Sequence, residues 1–412
     1  MLDISKEVRE RGERAEAKLA DVFRKFDKTA EKCTERVLEA FRRHRVSEAM
    51  FAGSTGYGYD DLGREALEHI YADVFGKEAA LVRIGFANGT HAIASALFAV
   101  CEPGKTLVSA VGAPYDTLRG VVGVDSAPHG SLAFYGVKYR EVAVKEDGYP
   151  DVEGILGAVK DESVGAVLIQ RSRGYSGRKS LSAAEVTDIY RKIKELRPDV
   201  HVVVDNCYGE FADETEPEGD LLCGSLIKNP GGGLAPSGGY VVGKKELVDR
   251  AAERLTVPGI GGEVGATLGQ NRLLFQGLFL APSVVASALK TAAFAAALLE
   301  EEGVYANPGS LDERHDIIES LDLGSAERLV AFCEGIQSGS PVDSFVTPEP
   351  WPMPGYDCDV IMAAGAFIGG ASIELSCDGP MRPPYRAFLQ GGLTWSSGKL
   401  GVLLALEKFL RA

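Results

Sequence analysis

Asp205 stands near the end of the run HVVVDN, and Lys228 follows 23 residues later in GSLIKNPGGGLAPSGGY. Taken singly, each has a plain reading: an aspartate that caps a turn, and a lysine exposed before a glycine run. Together they suit one chemistry. A lysine that forms a Schiff base needs a desolvated site, where burial lowers its pKa and leaves the amine nucleophilic. Pyridoxal phosphate also needs a carboxylate against its pyridinium nitrogen, which keeps the ring an electron sink. An Asp at one strand end and a Lys at the next would supply both. The glycines after Lys228 fit either a surface loop or a loop packed where only a bare backbone has room.

A phosphate needs a further element. ANGTHAIASAL places Gly89 and Thr90 at the start of a helix. Backbone N–H groups and the helix dipole bind an anion there, with Asn88 and Thr90 adding side-chain hydrogen bonds. NGT is equally an ordinary turn and cap. Ser225, three residues before Lys228, is within reach of the same phosphate. Tyr115 in GAPYDTL follows a strand and is either a core residue or a ring stacked on a flat heterocycle.

The elements that would position these groups begin near residue 79. Strand-like runs (ALVRI, TLVSA, KYREVAV, AVLIQ, HVVVDN, LLCGSLIK, GGYVVG) alternate with helical stretches. That alternation predicts an α/β domain with a mainly parallel sheet. Ligands of such sheets sit at the carboxyl ends of the strands, where Asn88, Tyr115, Arg171, Arg173, Asp205 and Lys228 fall. Residues 1–50 predict a helical arm, with Val8, Ala15, Leu19, Val22 and Phe26 at helical spacing. It would pack either on a partner subunit or on its own chain. Residues 51–285 form the large domain and 286–412 a smaller α+β domain. The latter includes an irregular crossing, VDSFVTPEPWPMPG, and two short strands around a Gly turn.

At 412 residues, about two domains are expected. The net charge of −15 argues against nucleic acid and anionic membranes as partners. Seven scattered cysteines without CxxC fit reduced thiols rather than a disulfide framework or a zinc site. The N-terminal stretch has no apolar h-region, so no signal peptide is expected and the cytoplasm is the expected compartment. The apolar run APSVVASALKTAAFAAALLEEEG is short for a membrane span and reads as a buried helix. Neither GxxxxGK[ST] nor GxGxxG is present, against a nucleotide-binding protein.

VVVDNCYGEF, then GSLIKNPGGGLAPSGGY, with ANGTHA upstream, resembles the fold type I pyridoxal-phosphate enzymes. These have an aspartate-aminotransferase-like fold. Within them the chain is similar to the cystathionine and methionine lyases, and to the branch called "aluminium resistance" proteins. The resemblance spans about residues 50–412. It implies a carbon–sulfur lyase using pyridoxal 5′-phosphate, releasing a 2-oxo acid, ammonia and a thiol by β- or γ-elimination. It implies that Lys228 holds the cofactor and shuttles protons, and that Asp205 pairs with the ring nitrogen. Asn88, Gly89, Thr90 and Ser225 would hold the phosphate, and Tyr115 would stack on the ring and serve as acid/base. Tyr57 and Tyr59, in GSTGYGYDDLGR, would complete the phosphate site of a neighbouring subunit, which implies at least a dimer and usually a homotetramer. Arg382 or Arg386 would bind the substrate carboxylate, with the proline-flanked Arg382 preferred. Two features depart from the group. Ile227 stands where it has Thr, and QRSRGYSGRKS brings Arg171, Arg173 and Arg178 near the ring hydroxyl. One of them, Arg173 foremost, would bond that hydroxyl, or the loop would accept a substrate with an extra acidic group. An aminotransferase, a decarboxylase, an aldolase or a non-catalytic cofactor-binding protein remain the alternatives.

Overall fold

The computed structural model describes residues 2–353 and 358–412. Helices α1 (Lys6–Lys18), α2 (Ala20–Arg43) and α3 (Leu62–Phe75) come first. The central unit follows as β1 (Ala79–Arg83), α4 (Gly89–Val100), β2 (Thr106–Ser109), α5 (Asp116–Val122), β3 (Lys138–Glu141), α6 (Val152–Val159), β4 (Val164–Gln170), α7 (Ala183–Leu196), β5 (His201–Asp205), β6 (Leu221–Ser225), β7 (Gly239–Gly243) and α8 (Lys245–Leu255). Then come α9 (Asn271–Glu300), β8 (Tyr305–Asn307), β9 (Ile318–Asp322), α10 (Ala326–Ser338), β10 (Trp351–Pro352), β11 (Asp359–Ala364), β12 (Ser376–Pro380), β13 (Arg386–Gln390) and α11 (Trp395–Phe409).

Every strand expected between 79 and 243 forms. They make a seven-stranded sheet in the order β1-β7-β6-β5-β4-β2-β3. Pairing from β6 through β5, β4, β2 and β3 is parallel, whereas β7 is antiparallel to both neighbours. The exception has a local cause. Parallel neighbours need a crossover, usually a helix, and the segment between β6 and β7 has only a short 3₁₀ turn. β4, β5 and β6 are buried almost throughout, as strands covered on both faces must be.

The second sheet is antiparallel, in the order β10-β11-β12-β13-β9-β8, with α10 and α9 against it and α11 packed on both helices. Only its β11 and β12 were legible as strands. β9 and β13 lie in HDIIESLD and RAFLQ, short apolar runs that periodicity alone does not assign to a strand, although Pro383–Pro384 and Gly391–Gly392 bracket the second. The proline-rich crossing forms β10 within it, and its last two residues lie outside the described ones.

Helix α9 differs from expectation. It begins at Asn271 and passes through Pro282, so the border placed at 285/286 falls inside a helix. A mid-helix proline costs about 3 kcal/mol, here outweighed by burial along most of the helix. By length and composition α9 could cross a membrane, but 72% of its apolar window is inside the fold. The N-terminal arm lies on its own chain. Phe23 packs edge-on against Trp395 of α11 at 4.9 Å, and the Ser5 amide donates to Glu407 at 2.9 Å.

Candidate active site

The carboxyl ends of β1, β2, β4, β5 and β6 open into one cleft of about 1230 Å³, bordered by Ile318 of β9 and by Gly369, Gly370 and Arg382 from loops of the second sheet. That exceeds the usual ~300–1,000 Å³ of a ligand pocket, with room for a cofactor and an amino acid together. Lys228, Asp205, Asn88, Gly89, Thr90, Ser225, Tyr115, Arg173 and Arg382 all line it. A smaller cavity of about 330 Å³, walled by Arg64, Arg83 and Asn271, brings together none of these groups.

The glycines after Lys228 are there for close packing. A Cβ on Gly232, whose φ is +54°, would stand 2.3 Å from the Gly277 carbonyl of α9. A Cβ on Gly231 would meet the Leu226 carbonyl at 1.8 Å. The loop is therefore clamped between the sheet and α9, which fixes where Lys228 enters the cleft.

Lys228 is half-buried, and its Nζ lies 3.8 Å from the centroid of the Tyr208 ring. Burial opposes its charge, but Cys207, Tyr208 and Asp205 together outweigh burial and hold the ammonium above its usual value. The expectation of a lowered pKa is therefore corrected: the burial effect is present, and the neighbours exceed it. Asp205 is buried, and its Oδ1 accepts from the Cys207 amide at 3.1 Å. Burial pushes this carboxyl up, against the pull of Lys228.

At the start of α4, two features suit an anion. The Ser225 hydroxyl is buried without a hydrogen bond. Beside it, a Cβ on Gly89 would come within 3.0 Å of the Ser225 Cβ, so the cup stays open because residue 89 is glycine. Asn88 caps α4, its Oδ1 accepting from the His91 amide at 2.9 Å, which leaves its amide N–H₂ for a ligand. The Thr90 hydroxyl is 3.0 Å from the Tyr115 hydroxyl and 3.3 Å from that of Thr117. Burial raises the Tyr115 phenol, with Asp205 and Cys207 adding to it, so this group keeps its proton at neutral pH. An anion cup at a helix start, a carboxyl and an amine around one cleft fit pyridoxal phosphate.

The basic loop after β4 is largely occupied. Arg171 is fully buried, donating to Asn206 at 2.9 Å and paired with Asp213 and Glu216 at 2.6 and 3.3 Å, so it braces β5 rather than facing the cleft. Arg178 donates to the carbonyls of Gln170 and Lys179 at 2.7 and 2.9 Å, and burial lowers it to about 10. Arg173 donates to Ser320 and to the Asn307 side chain, both at 3.1 Å. Its buried Nε is the one nitrogen of that side chain without a partner. Arg386 is turned to Asp322, with Nη2 2.9 Å from one carboxylate oxygen, whereas Arg382 lines the cleft. Tyr57 and Tyr59 stack on each other at 5.6 Å, are exposed, and do not line this cleft. Sequence reasoning missed Tyr208, Cys207 and Tyr175, all cleft residues. Tyr208 stands within VVVDNCYGEF, but its contact with Lys228 depends on a backbone φ of +71°, which nothing in the sequence announces for a tyrosine.

The sequence model of the methionine gamma-lyase family matches residues 8–410. The uncharacterized protein YnbB of Bacillus subtilis is 48% identical over 400 residues, covering 96% of this chain and 95% of that protein. Among solved structures, a carbon–sulfur lyase involved in aluminum resistance from Clostridium novyi is 48% identical with a TM-score of 0.94, covering 98% of this chain and 96% of the other. A Clostridium acetobutylicum protein provisionally named a cystathionine beta-lyase involved in aluminum resistance gives 48% identity and a TM-score of 0.95, over 98% and 96% of the two chains. CalE6, a methionine gamma lyase from Micromonospora echinospora, shares the fold at 20% identity and a TM-score of 0.55, over 87% and 91%. The chain belongs to the methionine gamma-lyase family, whose members are pyridoxal-5′-phosphate-dependent carbon–sulfur lyases.

Proposed function

We propose that the protein cleaves the carbon–sulfur bond of a sulfur-containing amino acid of the methionine, cystathionine or cysteine type, giving a 2-oxo acid, ammonia and a thiol. The observation that carries this reading is the convergence of Lys228, Asp205 and the Gly89–Thr90–Ser225 cup on one cleft. Bound pyridoxal phosphate supplies the electron sink that makes the substrate α-proton acidic. Lys228 would anchor the cofactor and accept that proton at Nζ. Asp205 would face the ring nitrogen and favour its protonated form. Gly89, Thr90, Ser225 and the Asn88 amide bind the phosphate. Arg382 orients the substrate through its carboxylate. Tyr115, which keeps its phenolic proton, is suited to protonate the departing sulfur.

Tyr57 and Tyr59 support a shared active site. Their loop is held by Arg64, which donates to the Gly265 carbonyl at 2.9 Å, and by the Gly265 amide, which donates to the Tyr57 carbonyl at 2.8 Å. Leu62 and Leu268 are exposed beside them. A rigid loop presenting aromatics to solvent suits contact with a second copy, completing a homotetramer in the cytoplasm.

The test is a visible spectrum of the purified protein before and after L-methionine, L-cystathionine and L-cysteine, with 2-oxo acid assayed. A cofactor band with oxo-acid release supports the lyase and ranks its substrates. A band without release removes the lyase reading for those substrates and turns attention to amino-group transfer or retro-aldol cleavage. No band after adding cofactor sinks the reading of Lys228.

A further inference from the structure

The Tyr208 ring is set against the Lys228 amine by contacts that do not depend on that amine. Its backbone φ of +71° is rare for a bulky residue. The side chain of Asn229, the residue next to Lys228, donates to the carbonyls of Tyr208 and Glu210, both at 2.9 Å. The Gly209 amide closes the turn onto the Asn206 carbonyl at 3.1 Å. The phenol reaches toward the small-domain sheet, 3.4 Å from the Ser372 hydroxyl. The ring is thus held at its backbone by the neighbour of the lysine and at its tip by the second domain, with Nζ 3.8 Å from its centroid.

An aromatic face attracts an ammonium and not a neutral amine, and more strongly in a desolvated cleft. The lysine of this site has two conditions, bonded to the cofactor or released, and the released amine must take one proton from substrate carbon and keep it within reach. We propose that Tyr208 is a further catalytic residue, whose ring receives the Lys228 amine when it is released and stabilises it once it has taken the substrate proton. This rests on reading Lys228 as the cofactor lysine. The balance is one proton, from the substrate α-carbon to Nζ, with no redox partner. The other titratable groups around Nζ are Asp205 at the end of β5, Cys207 and Glu210 on the following turn, and Tyr115 after β2. None of these is an aromatic face under Nζ; that position is held by Tyr208.

The test compares Tyr208→Leu with Tyr208→Phe, which keeps the ring and loses only the hydroxyl. Two readouts are needed. The first is the rate at which cofactor-free protein takes up pyridoxal phosphate at pH 7, followed by the visible band. Without the ring the free amine is less often protonated, so the Leu variant should take up cofactor several-fold faster, while the Phe variant, which loses only the hydroxyl's share, should stay within two- to threefold of wild type. The second is the pH profile of kcat. In the Leu variant its acid limb should move to lower pH and its maximum fall about tenfold, with KM little changed; the Phe variant should stay within two- to threefold of wild type. Either readout unchanged in the Leu variant overturns the proposal. Should Leu fail to fold, Tyr208→Met, which adapts to irregular space, serves for the same comparison. Absence of a cofactor band in wild type would instead sink the reading of Lys228 itself.

Discussion

The Tyr175 hydroxyl donates to the Asp378 carboxylate, and Gln390 donates to both, at 3.2 and 3.4 Å. This joins the loop after β4 to strands β12 and β13 of the second sheet, four residues before Arg382. The cleft is therefore closed by a polar contact between its two walls. Burial, opposed by Tyr175 and Gln390, pushes Asp378 up to about 6. A carboxyl raised in the folded state adds stability below its ordinary pKa of about 3.9 and loses it as pH rises through 6.

Asp378→Asn removes that titration and keeps an oxygen for Tyr175. Its thermal midpoint should match wild type near pH 4 and exceed it at pH 8, by an amount equivalent to about 2–3 kcal/mol. Thermal unfolding across that range checks it, and a constant difference at all pH values would count against a buried, titrating Asp378.

Ser225→Ala separates cofactor binding from folding. The hydroxyl is buried without a partner, so removing it should leave the cofactor-free protein as stable as wild type or more so. Affinity for pyridoxal phosphate should fall about 10- to 100-fold, the size of a lost hydrogen bond to a charged group. Gly89→Ala should weaken cofactor binding as well, because its methyl would crowd Ser225. Fluorescence or visible titration measures both.

Arg382 and Arg386 should behave oppositely. Arg382→Ala is expected to raise KM for the amino acid about 100-fold or more, with a smaller effect on kcat, as loss of a bidentate carboxylate contact does. Arg386→Ala breaks the half-buried pair with Asp322 and should lower the thermal midpoint while moving KM far less. Steady-state kinetics and a melt on each variant decide it.

A shared active site predicts complementation. The Lys228→Ala protein and a Tyr57→Ala/Tyr59→Ala protein, each inactive alone, should recover part of the activity when unfolded together and refolded. No recovery from variants that sediment as oligomers would exclude the sharing.

How much of this was legible differs from residue to residue. The alternation of strands and helices from 79 to 255 and the Asp205–Lys228 spacing are local patterns, written in neighbouring side chains, and the fold kept them. The helix start at Gly89 and Thr90 was legible for the same reason: a Gly-Thr after a capping Asn is a local signal. The strand β13, the reversal of β7 and the passage of α9 through Pro282 were not, since each is decided by partners far along the chain. The arginines of the 171–178 loop looked like ligand-binding groups, because a sequence displays charge but not the carbonyls and carboxylates that will meet it. The sequence by itself determined the α/β class and the spacing that brings Asp205 and Lys228 into one cleft. Only tertiary structure decided which arginines line the cleft, that Arg171 is buried in internal pairs, and that Tyr208 lies under Lys228. Residue types and short spacings belong to the chain; contacts between loops exist only after the two sheets have packed.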